Sequence, residues 1–164
     1  MSRNVCAIVG AGEGLGRALA SKFATGAFDI ALISRSENGS SAAAKAAAEA
    51  NAAVNFFAAD ATKPETIEQA LAKAAAEMGE VDVLIYNARG EFTRREPLEM
   101  TYAELDDIYQ VEVVGAFAAA KSVMPAMRQR GHGSVMFSSA TAALRGSASH
   151  PLYAIGKFGL RALS

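Results

Sequence analysis

The sequence predicts an α/β fold, a doubly wound parallel sheet with helices on both faces, in one domain over residues 1–164. Three observations carry this expectation. Short apolar runs without strict alternation recur along the chain, the pattern of strands covered on both faces. Segments rich in Ala, Leu, Glu and Lys separate them, supplying the helical crossovers that successive parallel strands require. A glycine cluster, "GAGEGLG" at residues 10–16, stands between the first apolar run and the first helix-prone run, where tight turning or close approach to a ligand favours glycine.

Each element follows in order. Residues 5–9 read as the first strand and 15–24 as the first helix, with the glycines between them. A second strand at 30–33 precedes a helix at 41–50, whose alanine-rich "SSAAAKAAAEANAA" has the composition of a surface helix. The third strand, 54–58, leads to a helix at 64–78, and the fourth, 81–86, to a long helix at 102–130 in which Pro125 bends the last turns. Two of these helices carry capping-box spacing, Thr62 with Glu65 and Thr101 with Glu104. Residues 134–137 form the fifth strand. Sheets of this kind bind ligands at the carboxyl ends of their strands, which is where the glycines lie.

Composition narrows the partners. The 164 residues suit one domain with a real core. Sixteen basic and 17 acidic residues give a net charge of −1, so neither the basic footprint of a nucleic-acid binder nor a polybasic membrane anchor is present. A small molecule is the expected partner. The single cysteine, Cys6, lies in an apolar run and has no cysteine to pair with, as in a reducing cytoplasm. The first ten residues turn glycine-rich too soon for a signal peptide, and no run of about 18 apolar residues is available to span a bilayer.

The glycine spacing is informative. The usual dinucleotide fingerprint G-x-G-x-x-G fails from Gly10, because Leu15 stands in place of its last glycine. The pattern G-x-x-x-G-x-G fits at Gly10, Gly14 and Gly16, where free N–H groups at a helix start attract phosphate. Further motifs follow along the chain: "FFAAD" ending at Asp60, "VLIYNARG" around Asn87 and Ala88, and "SVMFSSATAALRGSASHPLYAIGK", which closes on Tyr153 and Lys157 as Y-x-x-x-K. Together these resemble the short-chain dehydrogenase/reductase family over all 164 residues. The resemblance implies a Rossmann-like three-layer α/β/α domain and hydride transfer between a nicotinamide cofactor and a carbonyl or alcohol. It implies cofactor contacts from Gly10, Gly14, Leu15, Gly16, Arg35, Asp60, Ala61, Asn87, Ala88, Tyr153 and Lys157, with Asp60 on the adenine and Lys157 on the nicotinamide ribose. No metal is implied.

The residues also speak for themselves. Tyr153 and Lys157, four apart, share a helix face. An ammonium beside a phenol favours the phenolate, which would draw the Tyr153 pKa down toward a general acid/base's working range. A hydroxyl on the preceding loop would stabilise charge on the substrate oxygen, and Ser139 is the candidate. The family's serine most often stands about thirteen residues before its tyrosine, which here is Ala140; one extra loop residue restores Ser139. His150 reads as a surface residue.

Two departures stand out. Glu112 occupies the place where many family members carry an asparagine of a proton relay, either accepting from Lys157 or tolerated near the cofactor. Arg89 replaces the last glycine of N-N-A-G, reaching an anion or simply facing solvent. At the end of the second strand Ser34 stands where an acidic residue would repel a 2′-phosphate, and Arg35 follows, which favours NADP(H) over NAD(H); Glu13 in the glycine loop argues the other way. Family members run to about 250 residues, so the resemblance implies that the sequence lacks the last strands and part of the substrate pocket, leaving the fifth strand as an edge. Gly115, Ala116, Ala118 and Ala119 permit close helix packing, and the resemblance implies a homodimer or homotetramer through the long helix. The competing expectation is a nucleotide-binding relative with little turnover, set by Glu112, Arg89 and the uncertain serine.

Overall fold

A central sheet of five parallel strands runs in the order β3-β2-β1-β4-β5 in the computed structural model, which describes residues 3–164. The strands are β1 (Asn4–Val9), β2 (Phe28–Ser34), β3 (Val54–Ala58), β4 (Val81–Tyr86) and β5 (Ser134–Phe137). Between and after them come α1 (Leu15–Thr25), α2 (Glu37–Ala48), α3 (Pro64–Met78), α4 (Tyr102–Tyr109), α5 (Gly115–Arg130) and α6 (Pro151–Ala162). From β1 the chain winds outward through β2 to β3, then crosses back to place β4 on the other side of β1. Val9 therefore lies between Ile33 of β2 and Tyr86 of β4. The reversal opens a crevice at the carboxyl ends of β1 and β4.

Alternation along each strand divides the core in two. Val5, Ala7 and Val9 of β1 join Ile33, Leu84 and Tyr86 under α3 and α5. Cys6 and Ile8 join Ile30, Leu32 and Ile85 under α1 and α2, where Ala20, Ala24, Ala43 and Ala47 let the helices lie close. Ile8, Ile30 and Leu84 are wholly buried, each contributing about 1.5–3 kcal/mol by leaving water. Cys6 is as deeply buried, and that burial pushes its thiol up to about 12, so it is a packing residue.

Three helix expectations are corrected. Helix α2 starts at Glu37, four residues early, because the Ser36 hydroxyl accepts the Gly39 N–H at 3.3 Å and caps it. The Thr62–Glu65 capping box does not form: Thr62 donates its N–H and hydroxyl back to Asp60 Oδ1, at 3.0 and 2.9 Å. A nearer acceptor wins that competition. The expected helix over 102–130 is broken at Gln110–Val114 by one wider π-helical turn between α4 and α5, while α5 continues through Pro125 to Arg130. The Thr101–Glu104 box does form and starts α4. Among the described residues no helix is long and apolar enough to cross a membrane, and no group of three His, Cys, Asp or Glu side chains is placed to hold a metal.

Candidate active site

The crevice is a cleft of about 1170 Å³, and it begins at the glycine loop. Gly10 leaves β1 at φ +87°, and a Cβ there would stand 2.4 Å from the Ala88 nitrogen. Only glycine lets the loops after β1 and β4 touch. Asn87 ties them by donating from Nδ2 to the Gly10 carbonyl at 2.8 Å and from its N–H to Val9 at 2.7 Å. Gly16 is likewise demanded by packing, since its Cβ would meet the Ala11 backbone at 2.8 Å. Gly12 and Gly14 differ. A Cβ on either meets no protein atom within 4 Å, yet both line the cleft. Helix α1 starts beside them with no side-chain cap and no acidic residue in its first turn, an open positive end. The glycine cradle and the uncapped start together fit the pyrophosphate of a dinucleotide.

Farther along, the cleft passes the ends of β2 and β3. Ser34 donates its hydroxyl to the Ser36 carbonyl at 3.0 Å and shares a 2.6 Å hydrogen bond with Ser40. Arg35 is exposed at the rim, and no carboxylate pairs with it among the described residues. Glu13 is exposed and does not line the cleft. Asp60 accepts both bonds from Thr62 on Oδ1; those bonds, with the backbone one foremost, hold its carboxyl below the usual carboxylate range. Its turn role is therefore real, and it lines the cleft beside Ala61 as well.

At the other end, α6 presents Tyr153 and Lys157. Pro151 at its first turn suits a helix start, and the loop before it carries Ser138 and Ser139 into the cleft, whereas Ala140 lies outside the lining. The Lys157 ammonium is buried, donating to Glu112 Oε2 at 2.8 Å and to the Ser138 carbonyl at 3.0 Å. It lies 5.5 Å from the centre of the Tyr153 ring. The expected lowering of the Tyr153 pKa is not what this arrangement produces: burial first, then the Glu112 charge, raise the phenol above its ordinary value, with Arg89 opposing. Arg89 is exposed and lines the cleft.

Every residue singled out for cofactor or chemistry, from Gly10, Gly14, Leu15 and Gly16 through Arg35, Asp60, Ala61, Asn87 and Ala88 to Ser139, Tyr153 and Lys157, lines this one cleft. Two features had no local signal. Phe92, in the loop after β4, stacks on His150 with ring centres 4.3 Å apart and meets Tyr153 edge-on at 4.8 Å. That loop is held by an Arg95 N–H donated to Ser149 at 3.1 Å. Thus His150, read as a surface residue, is part of an aromatic wall beside Tyr153. Neither contact follows from periodicity, because Phe92 and His150 sit on loops.

Comparison with known proteins agrees with this fold. Residues 4–164 match the family model described as short chain dehydrogenase. The chain is 31% identical over 157 residues to the 3-oxoacyl-[acyl-carrier-protein] reductase FabG of Escherichia coli strain K12, covering 95% of this chain and 62% of that protein. Its fold superposes on the crystal structure of levodione reductase with a TM-score of 0.93 at 28% identity, covering 99% of this chain and 64% of that one. It also superposes on L-sorbose reductase from Gluconobacter frateurii, complexed with NADPH and L-sorbose, with a TM-score of 0.90 at 25% identity, covering 100% and 62%. The chain thus spans somewhat over three fifths of the length of these relatives.

Proposed function

The chain belongs to the short-chain dehydrogenase family, and from that premise we propose that it binds NADP(H), in preference to NAD(H), and moves hydride between the nicotinamide and a carbonyl or alcohol substrate. One observation carries the reading: a single cleft joins an uncapped helix start to a Tyr-Lys pair. Gly12, Gly14 and the start of α1 would hold the pyrophosphate. Arg35, with Ser34 beside it in place of a carboxylate, would hold a 2′-phosphate, and the NADPH bound by the related sorbose reductase supports that preference. Leu15 would pack on the cofactor, with Asp60 and Ala61 at the adenine, Asn87 and Ala88 behind the ribose, and Lys157 on its hydroxyls.

A bound nicotinamide supplies the hydride in reduction and takes it up in oxidation. In reduction Tyr153 gives its phenolic proton to the substrate oxygen as that oxygen gains charge, and regains one from solvent. Ser139 donates a hydrogen bond to the same oxygen. Phe92 and His150 wall the substrate side. Residues 1–164 act as one nucleotide-binding domain. Its expected partners are the small-molecule substrate and further copies of itself, because Phe117 and Met124, seven apart on α5, leave a half-exposed apolar stripe.

A thermal-shift titration with NADPH and with NADH tests the cofactor reading. Ligand at about 100 times its dissociation constant adds about 2.7 kcal/mol, a rise of roughly 5–10 °C for a domain of this size. The larger rise is expected with NADPH; a larger rise with NADH reverses the preference, and none with either overturns the reading. Tyr153→Phe is expected to keep the shift and lose about a hundredfold or more in turnover.

A further inference from the structure

Glu112 is the most deeply buried charged side chain described, with no exposed surface. Both of its oxygens are engaged. Oε2 accepts from Lys157 Nζ at 2.8 Å, and Oε1 accepts the Gly90 N–H at 3.1 Å, so one carboxylate ties α6 to the loop after β4. The surrounding backbone is shaped around it. Glu112 sits in the π-helical turn Gln110–Val114, an interruption that helices tend to carry at functional sites. The Val111 carbonyl of that turn accepts the Tyr86 hydroxyl. Opposite it, α6 is notched at Gly156, where a Cβ would stand 2.7 Å from Glu112 Cγ.

The charges facing Tyr153 come from every side of the cleft. Lys157 lies one turn along its own helix, Glu112 comes from the π-helical turn, and Arg89 from the loop after β4. His150 precedes α6 and reaches the Tyr153 ring through Phe92, while the Tyr86 phenol lies buried within the field of Glu112. Of these, the Lys157 ammonium lies 5.5 Å from the centre of the ring, and it is paired.

We infer that Glu112 is a positioning residue that pins the Lys157 ammonium between its own carboxylate and the Ser138 carbonyl and cancels its charge, so that Tyr153 keeps its proton through neutral pH. An ammonium alone beside the phenol would release that proton early; an ion pair beside it does not. The inference deepens the oxidoreductase reading and rests on it for its catalytic consequence. Carbonyl reduction, which needs the phenol, would be flat across neutral pH. Alcohol oxidation, which needs the phenolate, would climb into the alkaline range.

Ultraviolet titration of tyrosinate absorbance, taken as the difference between the protein and its Tyr153→Phe variant, isolates the Tyr153 ionisation. The midpoint is expected at or above the ordinary tyrosine value of about 10. A midpoint below it overturns the inference, whatever the fate of any Glu112 variant. In Glu112→Gln the midpoint is expected to fall by about one unit, a tenfold loss of proton affinity, while Glu112→Asp keeps it near the parent value. An unchanged midpoint in Glu112→Gln, or an equal fall in Glu112→Asp, also overturns it. The alkaline limb of alcohol oxidation should move with the midpoint. The titration needs neither cofactor nor turnover, so an inactive protein with the expected midpoints would sink the oxidoreductase reading and leave the role of Glu112 standing.

Discussion

A Cβ at Gly14 meets no protein atom within 4 Å, whereas one at Gly16, two residues on, would press on the Ala11 backbone at 2.8 Å. The same residue type thus answers to a ligand at one position and to the fold at the other. Gly14→Val is expected to melt within about 2 °C of the parent while NADPH affinity falls by an order of magnitude or more. Gly16→Ala should lose about 1–3 kcal/mol through overpacking, several degrees of melting temperature. Thermal melts with and without NADPH measure both, and a Gly14 variant that binds normally removes the pyrophosphate from that end of the cleft. The sequence singled out both glycines by their spacing. Which constraint each serves is a matter of neighbours, and Ala11 becomes a neighbour only when the loop has turned.

At the scale of the element, capping spacing succeeded where no competing acceptor stood nearby. Thr101 Oγ1 accepts the Glu104 N–H at 3.2 Å, Glu104 Oε2 accepts the Thr101 N–H at 2.9 Å, and Arg95 Nε donates to Glu104 Oε1 at 2.9 Å. The Thr101 backbone bond, then Arg95, then the Thr101 hydroxyl hold this carboxyl down to about 2 from an ordinary 4.5. A folded-state value below the unfolded one means stability that is complete above pH 4.5 and lost as pH falls toward 2. Glu104→Gln should therefore melt slightly below the parent at neutral pH, and the two melting curves should converge across that acid window; a constant gap would show that the ionised cap contributes nothing. The π-helical turn between α4 and α5 was not legible. No proline interrupts "IYQVEVVGAF", and the partner that Glu112 meets inside the turn is a lysine 45 residues away.

For the whole molecule, the exposed apolar stripe of Phe117 and Met124 on α5 is matched by half-exposed Ile155 and Phe158 on α6. Exposed apolar patches mark interaction surfaces, and a second copy of the chain is the partner proposed above. Light scattering is expected to give a multiple of 17.0 kDa, and Phe117→Glu should lower it toward the protomer mass; a protomer mass for the parent discards self-association. The parallel sheet, its helical crossovers and a ligand site at the carboxyl ends of its strands were readable, because unalternating apolar runs joined by helices leave few other ways to bury the strands; the strand order and register were not. By itself the sequence made legible the fold class, the glycine loop and the Tyr-Lys spacing, since each depends on spacing within one segment or on the alternation of strands and helices. Only the tertiary structure decided that Lys157 meets Glu112, that Phe92 and His150 stand beside Tyr153, and that the phenol is pushed up and not down. Those outcomes depend on burial and on charges brought together from separate elements, and in a low-dielectric interior a partner a few ångströms away outweighs the neighbours along the chain.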